Sequence, residues 1–171
     1  MTVYSIHIFN KKCEAIYFKQ WNNAATAGSN KTAAIATNEP ASKQSESASD
    51  ATNNIDVDGD SETAKLVYGV VFSLKNMVNK LSAGKNSTDG FLSYKTNAYK
   101  LHYFESPAGL KIVLITDAAS ASMLSVLRQI YSSIYVENVV KNPLAKPNTP
   151  IKNELFRGSL DKYIRGLQNF E

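Results

Sequence analysis

The chain has 171 residues, of which 43% are hydrophobic and 20% charged. That size and composition fit one globular domain with a real core and exclude a fibrous or wholly disordered chain. Lysine and arginine outnumber the acids 19 to 15, for a net charge of +4, and the single cysteine, Cys13, excludes an intramolecular disulfide and suits a reducing compartment. The longest aliphatic run, Ile112 to Ile115, is far short of the roughly 20 residues of a membrane span. Strand-like alternation from Val3 leaves no room for a signal peptide, so the expectation is a soluble intracellular protein.

The charge is unevenly spread. Residues 38–62 carry Glu39, Glu46, Asp50, Asp56, Asp58, Asp60 and Glu62 against Lys43, a net of −6, which leaves +10 on the remainder. A basic body points to an acidic partner: a protein face, an anionic lipid or a nucleic acid.

In chain order, Val3–Phe9 and Cys13–Phe18 read as a hairpin with a polar turn at Asn10-Lys11-Lys12. Tyr4, Ile6 and Ile8 fall on one face of the first strand and Val3 and Phe9 on the other. Residues 22–60 then read as a low-complexity disordered insertion within a single domain, 1–171. Of these 39 positions 24 are Ala, Ser, Thr or Asn and none is aromatic, too little to offset the entropy of ordering. A helix is expected over Glu62–Leu81, with Ser61 as N-cap and Val67, Val71, Leu74, Val78 and Leu81 as its apolar stripe.

Three strands follow, Phe91–Thr96, Ala98–Glu105 and Leu110–Thr116, with Pro107-Ala108-Gly109 as the last turn. A second helix is expected from Ser120 to Lys141, and a short third one near Ser159–Phe170 beyond the Pro-punctuated linker Asn142–Pro150. The first and fifth strands are apolar on both faces, which makes them central. The fold class is therefore α+β: a five-stranded antiparallel sheet in the order 2-1-5-4-3, one long helix on one face and two on the other.

The search for chemistry returns little. No nucleophile elbow, zinc-helix motif or paired Cys-x-x-Cys occurs. Ser82-Ala83-Gly84-Lys85-Asn86 fails as a phosphate loop at two positions, and Asp56–Glu62 fails as a calcium loop because its glycine is fourth rather than sixth. His7 reads as a hydrogen-bonded interior residue, His102 as a solvent-facing strand residue and Cys13 as a packed strand thiol. No catalytic residue, cofactor or metal site is assigned. Lysines scattered without interleaved aromatics speak against nucleic acid.

The helix surface is more informative. Stepping about 100° per residue from Val67, the core face spans Leu66, Val70, Met77 and Leu81 as well as the stripe above. Tyr68 and Phe72 then fall among Lys75, Asn76 and Asn79 on the opposite side, beside Gly69. Two aromatics next to a glycine on an outer face fit a partner that approaches the backbone closely. In the second helix Met123, Val126, Leu127, Ile130 and Ile134 point to one side, while Tyr135, Val136, Val139 and Val140 face elsewhere, toward the last helix or another subunit. The candidate interface is Tyr68, Gly69, Phe72, Lys75, Asn76, Tyr135, Val136 and Val139.

Particular residues carry a family likeness: Tyr4-Ser5, Ile8-Phe9, Cys13 and Trp21; Ala64-Lys65-Leu66-Val67-Tyr68-Gly69 through Phe72-Ser73-Leu74 to Lys80-Leu81-Ser82; Tyr99-Lys100-Leu101-His102; Gly109-Leu110, Val113-Leu114 and Asp117; and Gln129-Ile130-Tyr131-Ser132 with Ile134-Tyr135-Val136. Over about 1–21 and 61–141 the chain resembles the longin-like subunits of the TRAPP vesicle-tethering complex, the smallest most closely. The resemblance implies a longin/SNARE-like fold and a noncatalytic core subunit bound to other TRAPP subunits. It implies a place in ER-to-Golgi transport, in the cytoplasm and peripheral to cis-Golgi and endoplasmic reticulum membranes. It also implies a share in the nucleotide exchange that the assembled complex performs on a Rab GTPase. Other longin-fold trafficking proteins, an adaptor small chain or a vesicle SNARE, are the nearest alternatives; a SNARE would need a heptad segment and an anchor after the domain. A small enzyme with an unrecognised site and a basic nucleic-acid module are the alternatives of a different class.

Overall fold

The computed structural model describes residues 2–21, 57–82, 90–146 and 148–167. Five strands, β1 (Val3–Phe9), β2 (Ala15–Gln20), β3 (Ser93–Lys95), β4 (Tyr99–Glu105) and β5 (Lys111–Asp117), form one antiparallel sheet in the order β2-β1-β5-β4-β3. The expected α+β architecture and strand order are thus observed. Helix α1 (Val57–Leu81) packs on one face through Ala64, Val67, Val71, Leu74 and Val78 against Phe9, Leu101, Tyr103 and Val113. The other face carries Ile6, Ile8, Ile112 and Leu114, covered by α2 (Leu124–Gln129), a π-helical continuation (Ile130–Val140) and α3 (Glu154–Arg165). Burial on both faces is why β1 and β5 carry apolar residues on both sides.

Local register explains several departures from the sequence pattern. A shift between Val3 and Ser5 breaks strict alternation, so Val3 joins Ile6 and Ile8 in the core under α2 and α3 rather than facing α1 with Phe9. Strand β2 starts at Ala15, and Cys13 sits in the turn at φ 69°, a left-handed position that few non-glycine residues adopt. The Asn10 side chain builds that turn, its Oδ1 accepting from the backbone N–H of Lys12 at 2.9 Å and of Glu14 at 3.0 Å. The turn abuts the β4–β5 connection, where a Cβ on Gly109 (φ 82°) would meet Lys11 Cβ at 3.1 Å and be strained, which favours glycine there.

His102 is buried, not solvent-facing. Its strand alternates between two covered faces, and its Nε2 lies 3.0 Å from Thr116 Oγ1 while Nδ1 faces the Met123 N–H at 3.5 Å, under the start of α2. His7 is interior as expected, with Nε2 3.3 Å from Ser5 Oγ. Burial holds both imidazoles down at about 4, for His102 with help from the Lys100 charge.

The helices differ from expectation mainly at their starts. Helix α1 begins at Val57, so residues 57–60 of the expected insertion are helical and Ser61 is inside the helix rather than its cap. The remaining insertion residues, 22–56, lie outside the described part. Helix α2 starts at Leu124, after Met123, rather than at Ser120. Helix α3 starts at Glu154, capped by Asn153, whose Oδ1 accepts from Leu155 N at 3.0 Å, so Phe156 enters the core. The linker before it donates Ile151 N–H to Ile16 O at 2.8 Å, on the outer edge of β2.

Candidate partner-binding face

Helix α1 is rotated relative to the pattern read from sequence. Its buried side is centred on Ala64 and Val71, so Leu66, Val70, Met77 and Leu81 are exposed instead of core, Leu66 at 68% and Leu81 at 77%. The rotation follows from aromatic packing. Tyr68 lies over Phe9, ring centroids 5.4 Å apart, and donates its hydroxyl to Cys13 Sγ at 2.7 Å. It is therefore half-buried rather than outward, and burial together with the Cys13 contact pushes its pKa up to about 12. Phe72 stacks on Tyr68 at 6.1 Å and remains 53% exposed.

These two rings form one wall of a cleft of about 220 Å³ beside α1. Val71, Lys75 and Asn76 continue along the helix, and Tyr103 and Lys111 close it from the sheet. One carboxylate organises the cleft: Glu105 Oε2 accepts from Lys75 Nζ and, at 2.8 Å, from the Tyr103 hydroxyl, while Oε1 lies 4.0 Å from Lys111 Nζ. Burial alone would raise the Glu105 pKa, but the Lys75 and Tyr103 hydrogen bonds and the two lysine charges hold it below the usual carboxylate value. Burial and the Glu105 contact push the Tyr103 phenol up. The cleft thus has an aromatic wall, and three of its lining side chains, Lys75, Tyr103 and Lys111, face one ionised carboxylate, Glu105. Among the described residues no group of three His, Cys, Asp or Glu side chains could hold a metal ion.

Of the residues expected at a partner face, Tyr68, Phe72, Lys75 and Asn76 line this one cleft, and Gly69 lies beside it, exposed, with nothing within 4 Å of an added Cβ. The whole chain, compared with known proteins, matches the Sybindin-like family over residues 3–167. The chain belongs to that family. It is 35% identical over 170 residues to human trafficking protein particle complex subunit 1, covering 99% of this chain and 97% of that protein. It is 36% identical over 177 residues to the Schizosaccharomyces pombe transport protein particle subunit bet5, covering 99% of this chain and all of that one. A shorter likeness, 31% over 96 residues, covers 56% of this chain and 43% of bovine trafficking protein particle complex subunit 4.

In this Sybindin-like chain the second group of candidates sits elsewhere. Tyr135 and Val139 pack, partly buried, against the core under α3, with Tyr135 edge-on to Phe156 at 6.4 Å; Val136 is half-buried and Val140 exposed. The π-helical winding accounts for this. Hydrogen bonds close from i to i+5, as from Lys141 N–H to Val136 O at 2.9 Å, so Tyr135 comes to lie over Ile130 and Val139 over Ile134. The exposed α1 flank of Leu66, Val70, Met77 and Leu81 is the surface that the sequence pattern does not reveal. A clue is present in it, since an apolar arc from Leu66 to Val71 is wider than one sheet face can cover.

No helix among the described residues is long and apolar enough to cross a membrane.

Proposed function

We propose that this chain is a noncatalytic core subunit of a TRAPP vesicle-tethering complex, acting in ER-to-Golgi transport from the cytoplasmic side of those membranes. The observation that carries the reading is near-full-length similarity, at 35–36% identity, to relatives that bear the names of TRAPP subunits. The apolar residues exposed on α1, Leu66, Val70, Phe72, Met77 and Leu81, support the reading, since exposed apolar patches mark contact surfaces. Its partners are other TRAPP subunits and, through the assembly, a Rab GTPase whose nucleotide exchange the complex promotes. The chain is one domain, with residues 22–56 as an insertion between β2 and α1. Tyr68, Gly69, Phe72, Lys75 and Asn76 form the first partner face, and Val136 with the exposed parts of Tyr135 and Val139 a second.

Reconstitution tests the reading. The core assembled with and without this chain is expected to differ strongly in release of a fluorescent guanine nucleotide from the Rab, and the purified chain alone is expected to have no effect. Equal release rates with and without it, in a core otherwise intact, would overturn the assignment. Strong exchange by the lone chain would overturn its noncatalytic part.

A further inference from the structure

We infer that the cleft beside α1 receives an acidic segment of a partner protein, which inserts one apolar side chain against Tyr68 and Phe72. The inference rests on the reading of this face as a subunit contact and adds the chemistry of what binds there. At about 220 Å³ the cleft is below the ~300–1,000 Å³ typical of small-molecule sites, which suits a single anchoring side chain. Its wall is aromatic and its far rim cationic. Lys75 and Lys111 both border it, and Glu105 is the carboxylate that faces the two of them. Two ammonium groups share one carboxylate, and Lys111, with its side chain only 12% exposed, makes its other polar contact to the Gly109 carbonyl at 3.2 Å.

A partly desolvated ammonium gains more from a charged acceptor than a carbonyl supplies. Beyond the rim, beside the Gly109 turn, the β1–β2 turn carries exposed Lys11 and Lys12 against one exposed carboxylate, Glu14, whose Oε2 accepts from Asn10, and so stays net positive. An apolar anchor flanked by Glu or Asp matches this surface in shape and charge, whereas the same anchor with a basic or neutral flank leaves the charge unmatched.

The test uses the full chain and three fluorescent synthetic peptides: one Leu flanked by Glu on both sides, the same peptide with Leu replaced by Ala, and the same with Lys for every Glu. Anisotropy is expected to show binding of the first alone, weaker at higher salt. The Phe72→Ala and Lys111→Gln variants are each expected to bind about tenfold more weakly. The doubly reversed Lys11→Glu/Lys12→Glu variant, altered only at exposed positions, is expected to weaken binding without loss of fold. Absence of binding, equal binding of acidic and basic peptides, or indifference to Phe72→Ala would overturn the inference. So would full displacement by single-stranded DNA, which would give the surface to nucleic acid. Acidic-peptide binding seen only after residues 38–56 are removed would also overturn it, because it would assign the cleft to the chain's own acids. If the peptides fail while Phe72→Asp still weakens incorporation into the complex, the chemistry falls and the subunit assignment stands.

Discussion

Tyr68 and Cys13 meet across 55 residues of chain, the phenol donating to the thiol sulfur at 2.7 Å. The contact fastens α1 to the β1–β2 turn at the one non-glycine position of that turn with a left-handed backbone. With the packing of the Tyr68 ring on Phe9, it holds the helix in the rotation that sets which residues line the cleft. Tyr68→Phe keeps the ring over Phe9 and loses only the hydrogen bond. A cost of about 1 kcal/mol is expected in urea titration, and no change at all would show that the ring alone sets the rotation.

The two sides of α1 separate by burial. Val71 is 2% exposed, so Val71→Asp places a carboxylate in the core and is expected to cost ~3 kcal/mol or more, enough to unfold much of the chain. Phe72→Asp is expected to stay within about 1 kcal/mol of the parent and to weaken assembly with its partners. Circular dichroism melts check both, and equal unfolding of the two variants would refute the face assignment.

Gly69 occupies an exposed position inside a 25-residue helix, with open space where a Cβ would be. Gly69→Ala is therefore expected to stabilise the isolated chain by ~0.5–1 kcal/mol. If a partner backbone closes on that position, the same substitution weakens incorporation into the complex. A variant that is more stable and incorporates normally would remove Gly69 from the interface.

Acid is expected to destabilise the fold in a defined window. His7 and His102 titrate at about 4 in the folded chain against 6.5 for a free imidazole, because burial disfavours the charged form. Between those values the unfolded chain binds more protons, so stability is complete above about pH 6.5 and falls as pH drops toward 4. Glu105 and Asp161, both held low by lysine partners, extend the loss below the usual carboxylate range. The urea midpoint is expected to be flat from pH 7 to 8 and to fall below 6.5. The slope is expected to be shallower in His102→Asn. A midpoint independent of pH down to 4.5 would contradict the neutral buried histidines.

Replacing residues 24–56 with a short Gly/Ser linker is expected to shift the melting temperature by no more than a few degrees, because loop-closure entropy varies slowly with length. A loss of several kcal/mol would show that Ile35 or Ile55 packs against the domain. The linker begins after Trp21, whose indole N–H is held by Asp161 of α3 at 2.7 Å and whose position therefore does not depend on the insertion.

The sheet is legible in the sequence because β1 and β5 are apolar on both faces, and a strand needs two apolar faces only when layers cover it from both sides. The faces of individual residues are less so. Reading His102 as outward assumes that a polar residue in an alternating strand meets solvent, but α2 covers that side and Thr116 supplies the polar partner. Leu66 and Leu81 read as core because hydropathy records preference and not which arc the sheet can reach. Tyr135 and Val139 are misplaced by α-helical stepping, which the π-helical turn does not follow. The cleft residues fare best: Tyr68, Phe72, Lys75 and Asn76 lie within about two turns of one helix, so their proximity needs no tertiary information. Glu105, Tyr103 and Lys111 come from two different strands, and no local pattern links them to α1.

The sheet's two edges are finished differently. Along β2 the Ile151 N–H occupies the Ile16 carbonyl, while β3 is three exposed residues long and ends in Lys95. A three-residue strand ending in lysine gives a neighbouring chain little to extend, and the Ile151 contact takes one carbonyl of the β2 edge out of reach. The exposed Leu66, Met77 and Leu81 lie instead on a helix whose backbone hydrogen bonds close within it, so that apolar surface gives an incoming strand no ladder to extend.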